Sequence, residues 1–295
     1  MDHESVAELI GLEAELCKRS LYDYMRSMWS VIEPATPFID GFHLGAICDH
    51  EQAVFSGEIK KLIINVCPRS GKSICTSVAL PTWGWTRKPE TRFLFSSYSG
   101  DLSLEFATTA RRVIESRWYQ ARWDIQLSGD QNNKTFYANT ASGYRISTSV
   151  GGSATGKGGD ILIVDDPHNL KTIHSDIIRT EDIRWFFKVW SSRINNKKFD
   201  RQIVIMQRGH EDDLTSALME QGDWTILRLP TEYQPTQWTS PIGWSDPRSN
   251  EGELLNPERI GPDENAIVKL ELGPIDYSCQ HSQNPLPEKG GMFER

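Results

Sequence analysis

Short apolar runs recur along this chain with helical stretches between them: KLIINV, TRFLFSSYS, ILIVDDP, RQIVIMQ and DWTILRLP. A continuous apolar run of strand length, bounded by turn residues, suits a strand buried on both faces of a parallel sheet. The intervening segments have helical periodicity. One follows Gly71 to about Trp85 and halts before Pro89; another carries Leu102, Phe106, Ala110 and Val113; a third, from about Ser175, carries Ile183, Phe187, Trp190 and Ile194. EDDLTSALMEQ forms a fourth. Strands alternating with helices imply an α/β fold, a three-layer sandwich with a mostly parallel sheet. KTFYANTASGYRISTSV reads as a hairpin between sheet strands, turning at Ser142 and Gly143.

The flanks differ in texture. Residues 1 to about 30 read as one helix, with Leu9, Leu12, Leu16, Tyr24 and Met28 near helical spacing. After the connector EPATPFIDGF, a second helix ends at Gly57. From Thr231 the chain is rich in Pro, Gly, Asn and Trp, with one helix around Ala266 to Leu272, and NPLPEKGGMFER has linker composition. The expected organisation is a helical segment at 1–58, a sheet core at 59–230 and an irregular tail at 231–295.

Composition excludes several classes. The formal charge of −8 argues against a protein that coats DNA by bulk charge, though not against a local basic patch. Five cysteines without C-x-x-C spacing read as free thiols in a reducing cytosol, with no zinc site. No run approaches a membrane span, and the acidic start fits no secretory signal.

The turn after KLIINV reads Cys67-Pro68-Arg69-Ser70-Gly71-Lys72-Ser73. Between a buried strand and a helix, such a turn can offer backbone N–H groups to phosphates. Lys72 would reach the β- and γ-phosphates and the Ser73 hydroxyl would bind Mg²⁺. The tripeptide alone is weak, since a strand-to-helix turn with an exposed lysine reads the same way. ILIVDDP adds the second part: two carboxylates at the sheet edge where the first strand also ends. Asp165 is assigned to the metal and Asp166 to the attacking water. A helix-capping pair before Pro167 is the bland alternative. In IVIMQRGHEDDL, Gln207 is read as sensing the γ-phosphate, the alternative being that Gln207 and Arg208 just end the strand while Glu211 or Asp212 caps the next helix. The acids of HEDD belong to a helix start rather than a metal site, and His168 and His174 read as surface or satisfied histidines.

In this order GEIKKLIINVCPRSGKS, FLFSSYSGDLSLEFA, GGSATGKGGDILIVDDPHN, IVIMQRGHEDDL and SCQHSQNP resemble the large terminase subunit of tailed bacteriophages, from about Phe42 to Pro285. The resemblance implies a RecA-like P-loop NTPase fold. It implies ATP and Mg²⁺ as cofactors, and hydrolysis that drives double-stranded viral DNA into a procapsid in the host cytoplasm. Implied partners are the DNA phosphate backbone, the portal, the small terminase subunit and further copies in a ring. The family's loop is typically Pro-Arg-x-Gly-Lys-Ser, so a missing first glycine is expected, and Arg69 would contact the γ-phosphate. Phe42 and His43 match where the family holds adenine. Lys157 would act on a neighbour's ATP, with Arg111, Arg112 and Arg145 as weaker candidates. Complete members continue into a nuclease domain, whereas this chain stops at the linker, so no nuclease site is expected. A helicase-like remodeller would need a second RecA-like domain. A scaffold that binds ATP without hydrolysing it remains the other class.

Overall fold

The computed structural model describes residues 3–152, 156–199 and 201–287. Among these residues eight strands form one sheet: β1 (Lys61–Val66), β2 (Arg92–Ser97), β3 (Leu127–Asn132), β4 (Phe136–Asn139), β5 (Tyr144–Ser149), β6 (Ile161–Asp165), β7 (Gln202–Met206) and β8 (Thr225–Leu229). Their spatial order is β3-β4-β5-β2-β6-β7-β1-β8. From β5 to β8 every neighbouring pair is parallel, while β3 and β4 extend the edge antiparallel. The hairpin is therefore not a detached insert. Its second strand belongs to the parallel block, and β3, short of apolar residues, carries no strand signal in the sequence.

The alternating side chains of these strands feed two cores. On one face Leu62, Ile64, Phe93, Phe95, Ile203 and Ile205 meet the helices α2 (Leu21–Ile32), α3 (Phe42–Ser56), α5 (Leu80–Arg87) and α6 (Gly100–Glu115). On the other, Ile63, Leu94, Leu162, Val164 and Val204 meet α8 (Asp176–Trp185) and α9 (Leu214–Gln221). This is the three-layer sandwich. The remaining helices are α1 (His3–Arg19), α4 (Lys72–Ile74), α7 (Arg117–Gln120) and α10 (Pro262–Gln280).

The expected single N-terminal helix is two helices. Ser20 takes an extended backbone (φ −132°, ψ 120°) and caps α2, its hydroxyl accepting from Asp23 N. The stripe divides with them: Tyr24 and Met28 are buried, but Leu9, Leu12 and Leu16 face solvent, and α1 packs through Ala14 and Cys17. Gly57 ends α3 in the left-handed region at φ 92°, where a side chain would be strained. The helix after the phosphate turn is interrupted by a π-turn at Cys75–Ala79, a one-residue excess of the kind found at functional sites. Among the tail's described residues, α10 is longer than expected and kinks at Gly273 before Pro274. Most of NPLPEKGGMFER lies outside the described residues. All five cysteines are buried and free. Among the described residues no helix is long and apolar enough to cross a membrane.

Candidate functional site

Parallel pairing sets Asp165 beside Ser97 of β2 and Ile205 of β7, and Asn65 of β1 beside Met206. The exits of four strands thus converge, and every chemical group of the site leaves from this edge. The chain turns from β1 into α4 through two left-handed residues, Arg69 (φ 58°) and Gly71 (φ 82°). Asp166, just past β6, is left-handed too (φ 47°). For a residue with a Cβ this costs about 1–3 kcal/mol, and such positions cluster at functional sites.

Lys72 is buried, and its Nζ lies 2.9 Å from Asp166 Oδ1, which also accepts from Gln207 N at 3.3 Å. Asp165 is held on both oxygens: Ser73 Oγ donates to Oδ1 at 3.1 Å and Ser77 Oγ donates to Oδ2 at 2.9 Å. Burial, with the Asp166 charge next to it, pushes the Asp165 carboxyl up to about 6, against the pull of Lys72 and the two hydroxyls. Gln207 Oε1 is buried with no hydrogen-bond partner. The four residues assigned to phosphate, metal and water in the sequence therefore meet in one place.

Arg69 stands differently. Among the described residues it makes no hydrogen bond or ion pair, and it lines a crevice with His43, Pro68, Ser70, Thr231, Asn256 and Arg259. His43 Nε2 donates to the carbonyl of Ser70 at 3.1 Å, because that oxygen can only accept. Burial, reinforced by Arg259 and Arg248, pulls His43 down to about 4, so the ring is neutral and Nδ1 is an acceptor without a partner. Phe42 packs edge-on to His43, with the Arg248 guanidinium 5.4 Å from its ring centre. The far wall of the crevice is the tail, whose polar composition gave no sign of a role here.

Other assignments change. Arg145 cannot reach a neighbouring subunit: it is 1% exposed, lies 3.7 Å from the centre of the Phe95 ring and donates to the carbonyl of Ser77. It anchors the π-turn whose hydroxyl holds Asp165. Arg111 pairs with Glu115, and Arg112 donates to the carbonyl of Ile32. Lys157 is exposed, with Nζ 3.4 Å from the centre of the Phe136 ring. It precedes β6 and so stands at the strand-entry edge, away from its own phosphate turn. Ser153, Ala154 and Thr155 of that loop lie outside the described residues. Asp213, rather than Glu211 or Asp212, caps α9, and it also takes both oxygens to the buried Arg208. His168 is satisfied, donating from Nδ1 to Asp182 and accepting from Leu214 N at Nε2.

Sequence reading passed over Glu51. It is completely buried on α3, accepts from the Thr76 hydroxyl in the π-turn, and leaves Oε2 without a partner. Burial pushes its carboxyl up to about 8, with the Asp165 charge adding to the shift. A lone Glu among apolar helix residues was the available signal.

A parallel sheet with a phosphate turn after its first strand and paired carboxylates at the same edge defines a P-loop NTPase fold. Residues 63–236 match the family described as terminase large subunit, T4likevirus-type, N-terminal. The chain belongs to this family. No curated protein matches it. Among solved structures, a variant of the Thermus phage P74-26 large terminase ATPase domain aligns at TM-score 0.50 with 10% identity, over 80% of this chain and 93% of that one. The large terminase of a thermophilic bacteriophage, in complex with ADP, aligns at TM-score 0.46 with 9% identity, over 79% of this chain and 52% of that one. The HK97 bacteriophage large terminase aligns at 0.44 with 14% identity, over 72% and 44%. The chain thus spans about half the length of the latter two proteins.

Proposed function

We propose that this chain is an ATPase that uses Mg²⁺ and drives duplex DNA into a viral procapsid. The observation that carries the reading is the convergence of Lys72, Ser73, Asp165 and Asp166 at one sheet edge, in a chain of the terminase family. Lys72 exchanges Asp166 for the β- and γ-phosphates, and the backbone N–H groups from Ser70 to Ser73 wrap them. Asp166, released from Lys72 but still held by Gln207 N, orients the attacking water. Arg69 and the unpartnered Gln207 amide face the γ-phosphate and report its state, while Phe42 and His43 flank the adenine.

Mg²⁺ fits the donor set. Ser73 and Asp165 present hard oxygens within 3.1 Å of each other, and the raised Asp165 carboxyl marks a buried anion short of positive charge. Among the described residues no cluster of three or more His, Cys, Asp or Glu could hold a metal ion; Mg²⁺ in such sites takes one or two protein ligands and keeps phosphate oxygens and waters. When bound, the ion neutralises charge on the β- and γ-phosphate oxygens.

Portal, small subunit and ring neighbours belong to the same reading, with Lys157 at the strand-entry edge presented to a neighbour. Phosphate release measured against protein concentration, with and without DNA and procapsids, tests it. Rates should rise more than linearly with concentration and exceed a Lys72→Ala control. Release no greater than that control under every condition would leave a nucleotide-binding scaffold instead.

A further inference from the structure

The strand-entry edge carries a second charged surface, unlike the first. Two adjoining clefts of about 480 and 370 Å³ share Lys88 and Arg201 in their walls. Arg87 lines the first cleft, and the exposed Lys197 and Lys198 directly precede Phe199, which lines the second. Lys60, just ahead of β1, completes the row. The chain as a whole carries −8, so this concentration of cations runs against its composition.

Two further features mark the edge. Among the described residues Lys60, Lys88, Lys197, Lys198 and Arg201 have no carboxylate within ion-pair distance, whereas Lys72 at the other edge is paired. Three acids share these walls: Glu58 accepts from Ser56, and Asp160 accepts from Arg92 N and Asn195 Nδ2 while its charge also reaches Arg201. Glu90 lines the second cleft. The cations sit on the loops entering β2, β7 and β1, three inter-strand steps apart in the sheet order, or about 14 Å. A row of separated cations without ion-pair partners, the lysines exposed and Arg201 half-buried, suits a line of phosphates more than the edges of bases.

We infer that the strand-entry edge, centred on Lys88, Arg201, Lys197 and Lys198, binds the phosphate backbone of duplex DNA. The inference deepens the packaging reading by naming the surface that meets the DNA, and its test does without hydrolysis. The shared chemistry is phosphate, which could also come from a neighbouring subunit's nucleotide, so the assay has two arms.

In the first arm, a fluorescein-labelled 30-base-pair duplex is titrated by anisotropy at about 50–200 mM KCl without nucleotide, where phosphate contacts dominate. The Lys88→Glu/Lys197→Glu/Lys198→Glu chain should bind at least about tenfold more weakly, with its salt slope flattened by about 0.9 for each phosphate it no longer neutralises. The Gln counterparts should flatten the slope equally, which keeps the test open if charge reversal unfolds the chain. Lys72→Ala should leave DNA affinity unchanged, so failure of the ATPase reading remains a separate result. In the second arm, ATP-dependent self-association is followed by sedimentation. No binding by the unaltered chain, an unchanged slope in both triple variants, or loss of self-association with DNA binding intact would each overturn the inference.

Discussion

The two ends of the same parallel strands treat charge in opposite ways. At the exit edge Lys72 and Asp165 are withdrawn from water with Asp166 half-buried beside them, and two of the residues proposed to carry the chemistry, Arg69 and Asp166, sit in strained left-handed backbone. At the entry edge the lysines stand exposed on ordinary loops. The exit edge fixes geometry and lets desolvation strengthen each interaction; the entry edge keeps reach, and salt screens it. The difference teaches that a single sheet can hold one surface for chemistry and another for contact, because the strands of its parallel block, β5 to β8, run one way.

The contrast breaks most readily at Lys72. Lys72→Ala should cut ATP turnover by about 10²–10³-fold, as loss of a preorganised charge does, and fluorescent-nucleotide titration should show weakened binding that low salt does not restore. Recovery at low salt would erase the distinction between the edges. Asp166→Asn comes next: nucleotide binding should persist while single-turnover release falls by about 10²-fold or more. If turnover survives, the water is oriented by another group.

Glu51→Gln sharpens the contrast through stability. A carboxyl whose pKa is raised on folding favours the fold while protonated, so its contribution is intact below the unfolded value near 4.5 and is lost as pH rises towards 8. Thermal melting of wild type and variant should coincide near pH 4.5 and diverge above it, the variant ahead by about 4–5 kcal/mol at pH 9. Equal melting at pH 9 would mean that Glu51 is not held in its neutral form. Smallest is Arg69→Gly, which relieves left-handed strain and should stabilise the chain by about 1 kcal/mol. Turnover should nevertheless fall, since the arginine is kept for its side chain; unchanged turnover removes Arg69 from the site.

Much of this was legible from residues alone. Strand-length apolar runs fix the parallel block, and Lys72, Ser73, Asp165 and Asp166 follow from where those runs end. The rest depended on contacts that pattern does not encode. Ser77 and Arg145 reach Asp165 through a π-turn, which shifts helical register by one residue and defeats a 3.6-residue count. The wall made by Asn256 and Arg259 comes from an irregular segment, where no periodicity points to a partner. Leu9, Leu12 and Leu16 mislead for the opposite reason: their spacing is helical, yet Ser20 turns the chain so that another face of α1 packs.

The parallel block of the sheet also has an evolutionary consequence. Residues entering the strands and residues leaving them belong to different loops, separated by a strand of about 16–20 Å. Selection can therefore rewrite the entry loops, trading one polyanion or neighbour for another, while the exit loops stay under separate constraint. On the proposed reading, a lineage can change what such a subunit grips without disturbing how it handles phosphate.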